Sequence, residues 1–237
     1  MSMNRLRLFL LSIFSIFLAG CISSQPFPKG VTVGQPVSPP IVRPPKVGQE
    51  WVYQVRDVFN QEIIDTVTER VISVGSEIRI ARFGVNAGPL PDEIQSSWGV
   101  VLQDPHWSPS QLFVKAIPLW PEQFQVGWGR FYKTQYQVLN YPDTSYYWGL
   151  GMTALAWDQI QAPAGKFLAI HYRNEMPYFE SNDRFRLQSM REEDVWFAPE
   201  IGRWVIRRGY GRYITPGVFW SNAYWEDYLQ WELISWR

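Results

Sequence analysis

Cysteine and histidine are nearly missing from this chain of 237 residues, which has one of the first and two of the second. The lone Cys21 excludes an internal disulfide framework and any Cys-based structural zinc site. His106 and His171 cannot build a His-rich metal site, so no metal or other cofactor is expected. Neither sign of charge is in excess, with 22 Lys plus Arg against 22 Asp plus Glu. A nucleic-acid binder usually gathers a basic surplus on one face, so no nucleic-acid partner is expected either. No segment shows convincing i, i+3, i+4, i+7 apolar spacing with helix caps. Catalytic signatures are wanting too: there is no Gly-x-Ser-x-Gly elbow. Gly127-x-Gly129, Gly149-x-Gly151 and Gly209-x-Gly211 lack the third glycine and the strand-to-helix setting of a dinucleotide site. They read as bulges or close backbone approaches.

Aromatic residues, by contrast, are plentiful, with 13 Trp, 12 Tyr and 14 Phe. Disordered chains are poor in such residues, so most of this one folds. The N-terminus reads as an address. Arg5 and Arg7 precede Leu8–Ala19, a run of 12 residues of which ten are apolar. That is the n-region and h-region of a secretory signal, short of the roughly 20 residues of a spanning helix. It ends in Leu18-Ala19-Gly20-Cys21, which resembles the lipobox of bacterial lipoproteins. The resemblance implies cleavage after residue 20 and acylation of Cys21, leaving 20 basic against 22 acidic residues. Position 22 is Ile and not Asp, which under the Gram-negative sorting rule implies the outer membrane, facing the periplasm. In a cell without an outer membrane, the same box implies the outer face of the plasma membrane. Membrane lipid, through the covalent anchor, is therefore one expected partner.

Residues 21–46 hold seven prolines and a single aromatic, Phe27, the composition of an extended spacer. Residues 47–237 contain every Trp and read as one β domain. Trp51, Tyr53 and Val55 alternate with polar neighbours. Glu62–Val74 and Glu77–Phe83 complete a three-strand meander. Phe131–Leu139, Lys166–Arg173, Arg184–Phe197, Arg203–Ile214 and Ala223–Trp236 continue the pattern. The stretch 90–123, with prolines at 91, 105, 109, 118 and 121, is the least regular and the one place for a short helix. Ala162-Pro163-Ala164-Gly165 and Ala198-Pro199-Glu200-Ile201-Gly202 read as hairpin turns with glycine at positive φ. The expected fold is all-β: an antiparallel sandwich or open barrel of meanders and hairpins. Val71–Phe83 resembles Ile160–Tyr172, and Val47–Tyr53 resembles Val126–Tyr132. Internal duplication explains both matches, but so does the general likeness of β-hairpins.

Several of these pieces together resemble the TapB-like family of bacterial exported β-proteins and lipoproteins. They are Pro118-Leu119-Trp120-Pro121 leading to Val126-Gly127-x-Gly129, Ala162-Pro163-Ala164-Gly165-Lys166-Phe167, Trp196-Phe197-Ala198-Pro199-Glu200-Ile201-Gly202 and the closing Leu229–Trp236 strand. The resemblance implies a β-rich periplasmic or surface domain and supplies no catalytic residues.

Little chemistry is advertised. His171 reads as a structural or surface residue near Glu175, and His106 lies in a loop after Asp104-Pro105. Glu192-Glu193-Asp194 reads as a solvated strand end. The aromatics divide between a bulky core and a contact surface, with Trp148 and Trp220 as candidate surface rings. The expected function is a non-catalytic envelope lipoprotein, anchored through Cys21 and presenting its β domain to an envelope protein or glycan. The alternative is a glycan or lipid carrier using an aromatic or apolar cleft. No enzymatic activity is expected.

Overall fold

Period-2 alternation of apolar and polar residues puts one face of each strand inward, and here that face closes on itself. The computed structural model describes residues 30–38, 40–138, 141–217 and 222–237. Thirteen strands follow in chain order: β1 (Gly30–Val33), β2 (Glu50–Asp57), β3 (Ile63–Val74), β4 (Ile78–Gly84), β5 (Gly88–Ser97), β6 (Val100–Asp104), β7 (Gln111–Pro118), β8 (Gly129–Val138), β9 (Tyr141–Ala162), β10 (Gly165–Phe179), β11 (Gln188–Ala198), β12 (Arg203–Thr215) and β13 (Asn222–Trp236). Each of β2 to β13 pairs with its neighbour in sequence. One further pairing, β13 with β2, makes a closed antiparallel barrel of twelve strands. Of the sandwich or open barrel expected from the sequence, the all-β antiparallel barrel is what forms, and it is closed. The meander over residues 51–83 is β2–β3–β4. Residues 90–123 hold β5, β6 and β7, with no helix among them.

The barrel is built from two six-stranded halves. β2–β7 and β8–β13 meet at two seams, β7–β8 and β13–β2. Gly48, before β2, and Gly127, before β8, both turn at positive φ, 88° and 85°. The Gly48 amide donates to Val71 O at 2.9 Å, and the Val71 amide donates to Gln49 O. Gly127 repeats this pattern, donating to Ala154 O at 2.9 Å while the Ala154 amide donates to Trp128 O. β2 therefore corresponds to β8 and the β3–β4 hairpin to the β9–β10 hairpin. Those are the two segment pairs that the sequence matches.

The linker expected over residues 21–46 ends sooner than its prolines suggest. Val31 and Val33 continue the β pattern, and β1 pairs with Trp157–Ile160 of β9, just past the stretch that β8 occupies. Thr32 Oγ1 donates to Asp158 Oδ1 at 2.8 Å. The Arg43 amide donates to Pro199 O at 2.8 Å, and Arg43 O accepts from Trp98 Nε1 at 2.9 Å. From Gly30 onward, these contacts attach the Pro-rich segment to the body.

One end of the barrel is sealed by rings. Trp98 lies between Trp51 and Trp120, and Trp120 stacks on Phe197 at 4.5 Å. The lumen below is filled by large side chains, including Trp51, Trp157, Trp204, Tyr53, Tyr172 and Arg203. The outer wall carries Arg70, Arg79, Arg173 and Glu175, the reverse of a lipid-facing barrel with an apolar exterior. Gly165 and Gly202 sit at φ 137° and 66°, as the hairpin turns require. A Cβ on Gly202 would lie 2.7 Å from Arg43 O and 3.1 Å from the Trp98 ring, whereas at Gly165 nothing lies nearer than 3.8 Å. Gly202→Val should therefore cost more than Gly165→Val. Strained backbone alone accounts for about 1–3 kcal/mol at each. Urea unfolding of both variants checks the order.

Candidate functional site at the plugged end

Inward positions on several strands carry charge where the apolar alternation leads one to expect Val or Ile. Glu69 lies between Val67 and Val71 on β3, and Arg82 follows Ile80 on β4. Arg203 of β12 forks between two carboxylates. Its Nη2 donates to Glu69 Oε2 at 2.7 Å and to Glu93 Oε2 at 2.6 Å, and the side chains of all three residues are 0% exposed. Arg82 Nε donates to Glu69 Oε1 at 3.1 Å. Arg207 donates to Glu193 Oε1 at 2.6 Å and lies 3.7 Å from Asp104. The Arg203 guanidinium also covers the Trp204 ring at 3.7 Å.

The loop from Pro105 to Ser110, between β6 and β7, carries His106 into this network. One ring nitrogen lies 2.8 Å from Asp104 Oδ1 and the other 2.9 Å from Glu69 Oε1. Only the imidazolium form can donate to both. Burial pushes the Glu69 carboxyl up, but Arg203, His106 and Arg82 outweigh it and hold the group well below its ordinary range. Asp104 follows the same logic: Arg207 and His106 overcome its burial and hold it low.

The same loop plugs the second end of the barrel and divides it. On one side, an opening of about 430 Å³ is lined largely by apolar groups, among them Val67, Leu90, Trp107, Pro109 and Trp231. On the other lies a polar cleft of about 280 Å³ reached by Gln111, Arg191 and Glu226. Deeper in, a cavity between Trp148, Asn174, Glu193 and Arg207 has about 30 Å³ of free space. That holds about one or two waters and no acyl chain. The lumen carboxylates thus converge without room for a substrate between them.

This architecture has relatives of known structure. A protein of Parabacteroides distasonis assigned as a lipoprotein matches 84% of this chain and 100% of its own, with a TM-score of 0.55 and 10% identity. A protein of Bacteroides fragilis assigned as exported, with a YmcC-like fold, matches 84% and 99%, with a TM-score of 0.53 and 12% identity. At such identities, the likeness is one of fold. No family model and no curated protein sequence matches the chain.

The sequence-expected site residues separate. Cys21 and Trp220 lie outside the described residues. Trp148 is 2% exposed, so it is a core ring and not a surface contact. It sits on the inward face of β9 against Phe113, Tyr136 and Phe179. His171 stacks on Trp196 at 4.1 Å and bonds Asp194 at 2.9 Å, on the outer wall, instead of turning to Glu175. Within Glu192-Glu193-Asp194, expected as a solvated end, Glu193 points into the lumen because strand alternation buries every second residue. The exposed ring that the sequence analysis missed is Trp225, at 55%. On the outer wall it packs with Phe59 and Tyr210, and Tyr228 touches both of these. Arg212 lies over it at 5.4 Å. A groove of about 340 Å³ runs from Tyr210 and Arg212 to Phe131. The Tyr224-Trp225 pair beside a polar turn was the available signal.

Two outcomes follow for the network. Arg203→Met strands Glu93 in the lumen and should cost about 3–5 kcal/mol, while adding Glu93→Leu should recover part of the loss. The depressed carboxyls, Glu69 and Asp104, bind protons more readily in the unfolded chain, where they titrate near pH 4. Their contribution to stability is complete above that pH and is lost as pH falls below it. Urea midpoints should therefore drop steadily from about pH 5 to pH 3. A flat profile would contradict the assigned pairings.

Proposed function

We propose that this chain is a non-catalytic lipoprotein of the cell envelope, held at the outer membrane by an acylated Cys21, that presents its barrel to an envelope partner. The lipobox residues and Ile22 support the address. The fold likeness to proteins assigned as a lipoprotein and as exported supports the class. The TapB-like resemblance of the Trp196–Gly202 turn belongs to the same reading.

One observation carries the functional half. The lumen is packed and its charges are mutually paired, while the outer wall leaves an aromatic and arginine cluster around Trp225 open to solvent. A body of this kind works by contact at its surface. Trp, Tyr and Arg are the residues enriched where partners dock. The lipid-carrier alternative would have to use the apolar opening beside the plug, because the deeper cavity is too small for an acyl chain.

Chemical crosslinking in native envelopes, compared between wild type and Trp225→Ala, tests the contact. The expected result is a specific adduct that weakens at least several-fold in the variant. Because Trp225 is half in solvent, its unfolding free energy should move by only about 0.5 kcal/mol. An adduct unchanged by the substitution would remove this face from the proposal. Mass spectrometry of the mature protein tests the anchor. Wild type should carry acyl chains on Cys21, and Cys21→Ser should carry none and leave the membrane fraction or retain its leader. An unmodified Cys21 in the wild-type protein would overturn the address.

A further inference from the structure

The polar cleft beside the plug has room for a small ligand, and its floor carries buried polar groups with no hydrogen-bond partner. Gln111 is 2% exposed and Arg191 5%. Both line the cleft, and Gln111 Oε1 and Arg191 Nη1 have no hydrogen-bond partner. Leaving such groups unmet costs roughly 1–3 kcal/mol each, so their retention in a packed barrel calls for a reason.

The surroundings hold these groups in place. Arg191 Nε donates to Glu226 Oε2 at 3.1 Å, and Glu226 Oε1 bonds Arg186. Gly211 has no side chain to block this, and a Cβ there would collide with Glu226. The Arg191 guanidinium is sandwiched by Trp107 at 4.0 Å and Phe179 at 4.6 Å. Burial lowers its pKa, which Glu226 only partly offsets while also serving Arg186. The Arg191 donor is thus fixed by its neighbours, and Gln111, Tyr136 and Phe179 form part of the wall.

We infer that this cleft binds one sugar ring, its hydroxyls donating to Gln111 Oε1 and accepting from Arg191 Nη1. Chemistry selects that class. An anion would satisfy Arg191 but would sit beside the Asp183 and Glu226 carboxylates that line the same cleft. A cation would satisfy Gln111 but not Arg191, and an apolar ligand would satisfy neither. A hydroxyl both donates and accepts, so a sugar can answer both groups at once. The volume, about 280 Å³, is at the low end for small-ligand sites and suits one ring and not a chain segment. An extended peptide would seek a free strand edge, and the ring of twelve strands offers none. The inference shares with the proposed function only the premise that the body is a binding module.

The test titrates the full mature chain, in detergent, with neutral hexoses and N-acetylhexosamines, read by saturation-transfer NMR and calorimetry. Inorganic phosphate and glucuronate run alongside. Saturable binding of at least one neutral sugar is expected, weakened at least tenfold by Gln111→Leu. That variant should unfold no earlier than wild type, because it removes an unmet carbonyl. Arg191→Met should abolish binding. If it fails to fold, Gln111→Leu decides alone. Binding of no neutral sugar, binding of the anions only, or a neutral-sugar affinity untouched by Gln111→Leu would each overturn the inference. Because this titration uses no envelope partner, it can fail while the crosslinking result stands, and the reverse also holds.

Discussion

Eight strands enclose a lumen that side chains just fill, and sixteen leave a channel. Twelve strands fall between, and that width is the constraint the rest of this molecule answers to. Aliphatic residues do not reach far enough to meet across it. Indole rings and guanidinium groups do, so the lumen holds Trp51, Trp157, Trp204, Tyr172 and Arg203. The unusual number of tryptophans follows from this geometry more than from any surface role. Six of them are buried, and of those described only Trp225 is exposed.

Filling space with arginine imports charge, and buried charge is tolerable only when it is paired and fully bonded. The carboxylates therefore come from strands far apart in the chain. Glu69, Glu93 and Glu193 lie on β3, β5 and β11, and Asp104 closes β6. Arg207–Glu193 joins adjacent strands, but Arg203 with Glu69 and Glu93, and Arg207 with Asp104, tie strands that are not neighbours in the sheet, cross-bracing a wall that hydrogen bonds alone would leave free to flatten. The His106 loop completes the brace and at the same time stops the end of the barrel. Plug and network are one structure, so the two clefts beside the loop have fixed walls.

The strands were legible because alternation survives almost everywhere. The Pro163–Gly165 and Pro199–Gly202 turns were legible because positive φ there demands glycine. Even the likeness of the two halves left a trace at Gly48 and Gly127. Closure was not legible, since the β13–β2 seam depends on register around the whole ring. The network was harder still: its members are scattered from residue 69 to residue 207, and each alone looks like a stray charge. A usable sign did exist. Glu69 stands in the apolar phase of its strand, as does Glu193 before Val195. A charged residue on the inward side of an otherwise regular strand marks a buried pairing. Trp148 misled for the opposite reason. Its neighbours Tyr146 and Tyr147 made it look like part of an aromatic patch, when alternation places it inward.

β1 has a geometric consequence of its own. It runs antiparallel to the final stretch of β9, so Gly30 lies opposite Ile160, at the end sealed by rings, and the chain moves away from that end as it enters the strand. Anything upstream must therefore take hold at the sealed end. The eight residues between Cys21 and Gly30 span at most about 28 Å even when fully drawn out. Under the anchoring proposed at Cys21, a body on so short a stem would stand like a cup on its base, its stoppered mouth and both flanking clefts turned away from the surface that carries it.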